Sequence, residues 1–175
     1  MKHRDHGLPC VVLRLSRFFP EDDGSRAARA DFLDANAKVN EMLFRRVDIE
    51  DAVDAHMRAF ERAAALGFGR YIVSATTPFR REDLAALRID ARGRLRAGVC
   101  GGIRAPRPVD FPSIDRVYVN DAARAGLGWA PRHDFAALIE QLRAGGDHRS
   151  ALAQAIGAKG YHAERFDEGP YPVTP

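Results

Sequence analysis

A chain of 175 residues, 46% hydrophobic and 29% charged, is the length of one domain and can bury roughly two-thirds of its unfolded surface. Its net charge of +3 comes from 27 basic residues interspersed with 24 acidic ones, which describes a mixed solvated surface, and with no nucleic-acid reading motif beside it nucleic acid is an unlikely partner. No apolar run approaches the ~20 residues of a membrane span and residues 1–7 lack the apolar middle of a signal peptide, so no membrane partner and a cytoplasmic location are expected.

In chain order, Leu8-Pro9 leads into C-V-V-L-R-L, a continuous apolar run of the kind found in a parallel strand buried on both faces. S-R-F-F-P-E-D-D-G-S follows as a loop marked by Pro20 and Gly24. Residues 27–44 predict a helix with Phe32, Asn36, Val39 and Leu43 on one side and Leu33, Asn40 and Phe44 beside it. Asp48, with Asp51 three residues on, caps a second helix whose face to bury is Ile49, Val53, Met57, Phe60 and Ala64; His56 falls on that face as a hydrogen-bonded core histidine. Gly67 and Gly69 stop it, and R-Y-I-V-S-A reads as a buried strand.

Thr77-Pro78 opens a further helix continued by Leu84 and Leu87. Residues 91–110 hold neither a helical nor a strand period and read as loop; their Ala, Arg, Gly and Pro content also fits a translated shifted frame of a GC-rich gene. F-P-S-I-D-R-V-Y-V predicts a strand, Asn120 or Asp121 caps a short helix closed by Gly128, Trp129 and Pro131, and Asp134 caps a helix bearing Phe135, Leu138, Ile139 and Leu142. After Gly145-Gly146 there is one helical piece at residues 151–156 and then a Gly/Pro/Tyr-rich tail. Cys10 and Cys100, far apart and in unlike contexts, suggest neither a disulfide nor a zinc pair, and no cluster has metal-ligand spacing.

V-D-I-E-D-A-V-D-A-H at residues 47–56, the Y-I-V-S-A strand, T-P-F-R-R-E-D-L and the run Y-V-N-D-A-A-R-A-G-L-G-W-A-P at residues 118–131 resemble the second half of the NAD-dependent epimerase/dehydratase family, the extended short-chain dehydrogenase/reductases. The resemblance runs from about Leu8 to about Leu142, departing where Arg46 takes an aromatic position and Asp48 a His/Tyr position. It implies an α/β fold, an incomplete Rossmann-like domain of last strands and helices with part of the small C-terminal substrate-binding domain. The expected segments are a Rossmann-like, substrate-facing unit at 8–90, the irregular tract at 91–110, a strand and helices of the substrate domain at 111–143, and a tail at 144–175.

For the complete family member the resemblance implies NAD or NADP, and redox epimerisation or dehydration of a nucleotide sugar with a tyrosine as proton shuttle. This chain has no glycine-rich turn after a strand; Gly157-x-x-Gly160 follows a helical piece. Tyr71, Tyr118, Tyr161 and Tyr171 are followed four positions on by Ala, Ala, Arg and Pro, never by the helping lysine. The expectation is therefore a chain that begins just after the chemistry, binds no NAD by the family's route and is not catalytic alone.

Four residues are candidates for binding. Arg17 and Phe18 lie in the loop that passes near the nicotinamide in the resembled family, with Phe18 serving either there or as a lid on the core. Arg45 and Arg46 adjoin the family's Arg-Asp-aromatic segment, where guanidinium forks hold the pyrophosphate of a nucleotide sugar. Arg116 lies near another phosphate-contacting stretch without matching it. The alternative is a non-enzymatic binding or interaction module using its basic surface. The expected assembly is a monomer, or non-specific self-association through exposed sheet edges.

Overall fold

The apolar run C-V-V-L-R-L and the run F-G-R-Y-I-V form the strands β1 (Cys10–Leu15) and β2 (Phe68–Val73), paired in parallel with Cys10 opposite Phe68 and Leu15 opposite Val73. In the computed structural model, which describes residues 6–18, 34–96 and 112–156, they make a two-stranded parallel sheet. Between them come the helices α1 (Asp34–Glu41) and α2 (Ile49–Leu66). After β2 follow a 3-10 turn (Arg81–Asp83) and the helices α3 (Leu84–Arg96), α4 (Asp121–Leu127), α5 (Phe135–Arg143) and α6 (Ala151–Ile156). The fold is mixed α/β.

Two apolar clusters hold these elements together. One gathers Val39, Leu43 and Phe44 after and along α1 with Leu87 and Ala91 of α3, Ile114, and Phe135, Leu138 and Ile139 of α5. The other packs Val11, Leu13, Leu15, Tyr71 and Val73 of the sheet against Ala52, Ala55 and Ala59 of α2 and Ala123, Leu127 and Trp129. Phe44 belongs to the first cluster and Val47 to the second, so residues 44–47 join them. Trp129 is fully buried and its indole N–H donates to the Asp51 carbonyl at 3.1 Å, as its reading as a packed anchor requires. Glycine is required beside Tyr71: a Cβ on Gly69 or on Gly126 would stand 2.6 Å from the ring.

The caps of α2 fall where the sequence places them. Asp48 accepts from the Glu50 N–H at 2.8 Å, and Gly67 ends the helix at φ 64°. Its buried face does not. Ala52, Ala55 and Ala59 pack on the sheet, while Val53, Met57 and Phe60 are 47%, 54% and 81% exposed. The three- and four-residue spacing marks an apolar stripe, but small side chains let the helix lie close to the sheet, and that decides which face goes inward. His56 is exposed too, its Nδ1 2.8 Å from the Ala52 carbonyl oxygen of its own helix.

Similarly, β1 is not buried on both faces. Val11, Leu13 and Leu15 reach the core, while Val12 and Arg14 on the other face are exposed, because nothing among the described residues covers that side. Three element boundaries also move. Thr77 donates its hydroxyl to the Leu43 carbonyl at 2.7 Å instead of capping a helix; the helix begins at the 3-10 turn, where Asp83 accepts from the Arg80 N–H at 2.9 Å. α3 continues to Arg96, through a non-helical Asp90, because Ala91 is buried in the first cluster, so residues 91–96 leave the tract read as irregular. Residues 113–119 form no strand: the Ile114 N–H donates to Leu87 and the Tyr118 N–H to Phe44, single contacts instead of a ladder.

The first part of the 27–44 helix, most of the irregular tract, Cys100 and the Gly157-x-x-Gly160 tail lie outside the described residues. No helix among the described residues is long and apolar enough to cross a membrane.

Candidate functional site

β1 and β2 stay hydrogen-bonded through the Ser16 N–H and Val73 carbonyl at 2.9 Å and then part around residues 45–47. The Arg17 N–H donates to Arg45 (3.1 Å), the Val47 N–H to Arg17 (3.0 Å) and the Ala75 N–H to Arg46 (2.8 Å). Residue 46 therefore bridges both chains just past the carboxyl ends of two parallel strands, the edge at which open α/β sheets commonly bind ligands.

Glu41, the last residue of α1, is buried and lies below this junction. The turn that follows brings Arg45 back one helical step, where its Nη2 and Nε reach Glu41 Oε1 at 2.7 and 3.1 Å. Arg17 Nη1 reaches the same oxygen at 3.1 Å, and Arg46 Nε donates to Oε2 at 2.9 Å. The Arg45 guanidinium also lies 5.0 Å from the centroid of the Phe44 ring. Three guanidinium groups thus share one carboxylate. Arg46 is buried, whereas the side chains of Arg17 and Arg45 are 42% and 44% exposed.

On its other side Arg46 lines an open cleft together with Phe18, Lys38, Asp48, His148 and Arg149, over an apolar floor from α1 and α5. Counting its solvent mouth the cleft encloses about 310 Å³. Arg149 holds Asp147 in a double contact, Nε to Oδ1 at 3.0 Å and Nη2 to Oδ2 at 2.6 Å. That hydrogen bonding keeps the Asp147 carboxyl well below the usual carboxylate range.

A second buried carboxylate works differently. Asp51 is 1% exposed and accepts the backbone N–H groups of Arg132 and His133, each at 2.9 Å, which ties the start of α2 to the turn before α5. Arg132 Nη2 adds a bond to Glu50 at 2.7 Å. His133 Nδ1 stands 3.3 Å from Asp51 Oδ2, and this contact raises the imidazole pKa above its ordinary value; burial opposes it, and the charges of Asp51, Asp48 and Glu50 add to it.

The four candidate binding residues are thus brought together. Arg17, Arg45 and Arg46 meet on Glu41, and Phe18 and Arg46 line one cleft; Phe18 also packs against the second core cluster. Arg116 is exposed and joins neither group in any hydrogen bond shown. Sequence reading missed Glu41, Lys38 and Arg149, and it placed Asp51 in the cap of α2, whereas its carboxylate accepts from Arg132 and His133. A signal existed for Glu41, which stands four residues before Arg45; none existed for the partners of Asp51, about 80 residues away.

No glycine-rich turn of the kind that cradles a dinucleotide's pyrophosphate follows β1 in the sequence. No group of three or more metal-ligating side chains occurs among the described residues. No protein-family model, no curated protein and no solved structure matches the chain.

Proposed function

We propose that this chain is a nucleotide-sugar-binding unit of the NAD-dependent epimerase/dehydratase type, with Arg17 and Arg45 taking the pyrophosphate. One observation supports this above others: guanidinium groups from the end of β1 and from residues 45–46 converge at Glu41, just past the carboxyl ends of the parallel strands. Guanidinium forks match phosphate oxygens, and the Arg17 and Arg45 side chains are partly exposed. Two parallel strands with a helical crossover between them agree with a Rossmann-like arrangement. In the full family reaction the sugar would be oxidised and reduced at NAD. Here the residues bind and orient, since no tyrosine is followed four positions on by lysine.

Calorimetric titration tests the reading. A UDP-sugar should bind weakly, the free sugar and the nucleoside without phosphates should not bind, and NAD should give no saturable heat. Equal binding of the nucleoside and the UDP-sugar would remove the arginines' role and with it the proposal.

A further inference from the structure

Arg17 and Arg45 are held side by side by a single atom. Glu41 Oε1 accepts from Arg17 Nη1 at 3.1 Å and from Arg45 Nη2 at 2.7 Å, so those two nitrogens are no farther apart than the two bonds laid end to end. The arginines come from separate elements, Arg17 from just past β1 and Arg45 from the turn after α1, and both side chains have many rotamers open to them. Two like charges that close repel each other unless a carboxylate stands between them. Glu41 is fixed in that place: its side chain is 6% exposed, and its other oxygen accepts from Nε of the buried Arg46 at 2.9 Å. Arg45 is aligned further by its own Nε on Oε1 at 3.1 Å and by the Phe44 ring beside it.

Two phosphoryl groups joined through one oxygen present their outer oxygens over a similar span, and a guanidinium fork takes one such group at a time. A diphosphate therefore engages both arginines and a monophosphate only one, the second contact forming within a ligand already bound. We infer that Glu41 is the positioning residue of this site: by fixing the spacing of Arg17 and Arg45 it makes the site select a diphosphate over a monophosphate. Glu41 acts through the two arginines. Its charge opposes the binding of any anion, whereas its geometry favours a diphosphate, so the two effects separate when the charge is removed. This inference deepens the nucleotide-sugar reading and rests on it.

Calorimetric titration of the full chain with UDP, UMP and uridine at low salt tests it. The unaltered chain should bind UDP at least roughly tenfold more tightly than UMP. In Glu41→Gln the loss of a negative charge should leave UMP bound as tightly or more so, while the preference for UDP falls below about threefold because the arginines move apart. A purely electrostatic role would tighten both ligands and keep the preference, and a role in folding alone would weaken both together. Circular dichroism confirms folding. Should Glu41→Gln not fold, Glu41→Gln/Arg46→Met removes the buried charge along with its partner and should show the same fall. An unaltered chain that prefers UDP to uridine but not to UMP, or a folded variant that keeps the preference for UDP, would overturn the inference and leave the nucleotide-sugar reading standing. Binding of UDP no tighter than that of uridine would overturn both.

Discussion

Glu41 and Asp51 are both buried carboxylates placed at helix ends, yet their surroundings give them opposite uses. Asp51 accepts the backbone N–H groups of Arg132 and His133, neutral donors that cannot serve elsewhere, with the His133 imidazole 3.3 Å away. Glu41 is met by three cations, two of them open to water. The first arrangement closes the structure: about 80 residues separate the partners, and the bond holds α5's approach to the start of α2. The second gathers guanidinium groups at the strand ends. A carboxylate answered by amides is a fastening, while one answered by several guanidinium groups also prepares a place for another anion.

The largest expected effect separates these roles. Asp51→Ala strands two backbone donors in a buried setting and should lower stability by about 3–5 kcal/mol in urea unfolding, with no recovery on adding phosphate. Glu41→Gln keeps the shape but removes the charge that Arg17, Arg45 and the buried Arg46 share. It should cost about 2–3 kcal/mol, part of which inorganic phosphate restores in a thermal melt. Equal phosphate responses in the two variants would erase the distinction between them.

A smaller effect follows from exposure. Arg45→Ala breaks a contact that is half open to water, so stability should change by less than about 1 kcal/mol while affinity for a nucleotide sugar falls. The smallest effect concerns His133. Its folded pKa lies above its unfolded one, so its contribution to stability is complete below about pH 6.5 and is lost as pH rises through the raised value. Urea midpoints should therefore decline across that interval in the unaltered chain, and the decline should shrink in His133→Gln. A Glu41→Gln chain, which leaves Asp51 intact, should keep it.

The legible parts of the fold were those set by local chemistry. Asp48 as a cap, Gly67 as a stop and Asp134 as a cap accepting from the Ala137 N–H all follow from groups acting within a few residues, and Trp129 as an anchor follows from its size and apolar body. The inward face of α2 was not legible, because periodicity shows that a stripe exists and not which of two faces meets the sheet. Alanines won over Val53, Met57 and Phe60 through closeness of approach, a tertiary effect. The open face of β1 has the same origin, since burial on both sides depends on neighbours that a run of six residues does not name.

The site was half legible. Arginines are readable as phosphate binders from their type, and Arg17, Arg45 and Arg46 do meet. Their common partner spans 24 residues from Arg17 and five from Arg46, separations that follow only once residues 45–47 enter between the strand ends. Phe18 could be a lid or a stacking ring on sequence alone. It packs against the core and lines the cleft, so its ring serves the wall of the site.

The most direct test of the central claim compares the unaltered chain with Arg17→Ala/Arg45→Ala in a calorimetric titration with a UDP-sugar at low salt. The account predicts saturable heat for the unaltered chain, at least a roughly tenfold weaker affinity for the double variant, and nearly unchanged unfolding midpoints. Equal affinity in the two proteins, or no binding by the unaltered chain, would contradict it.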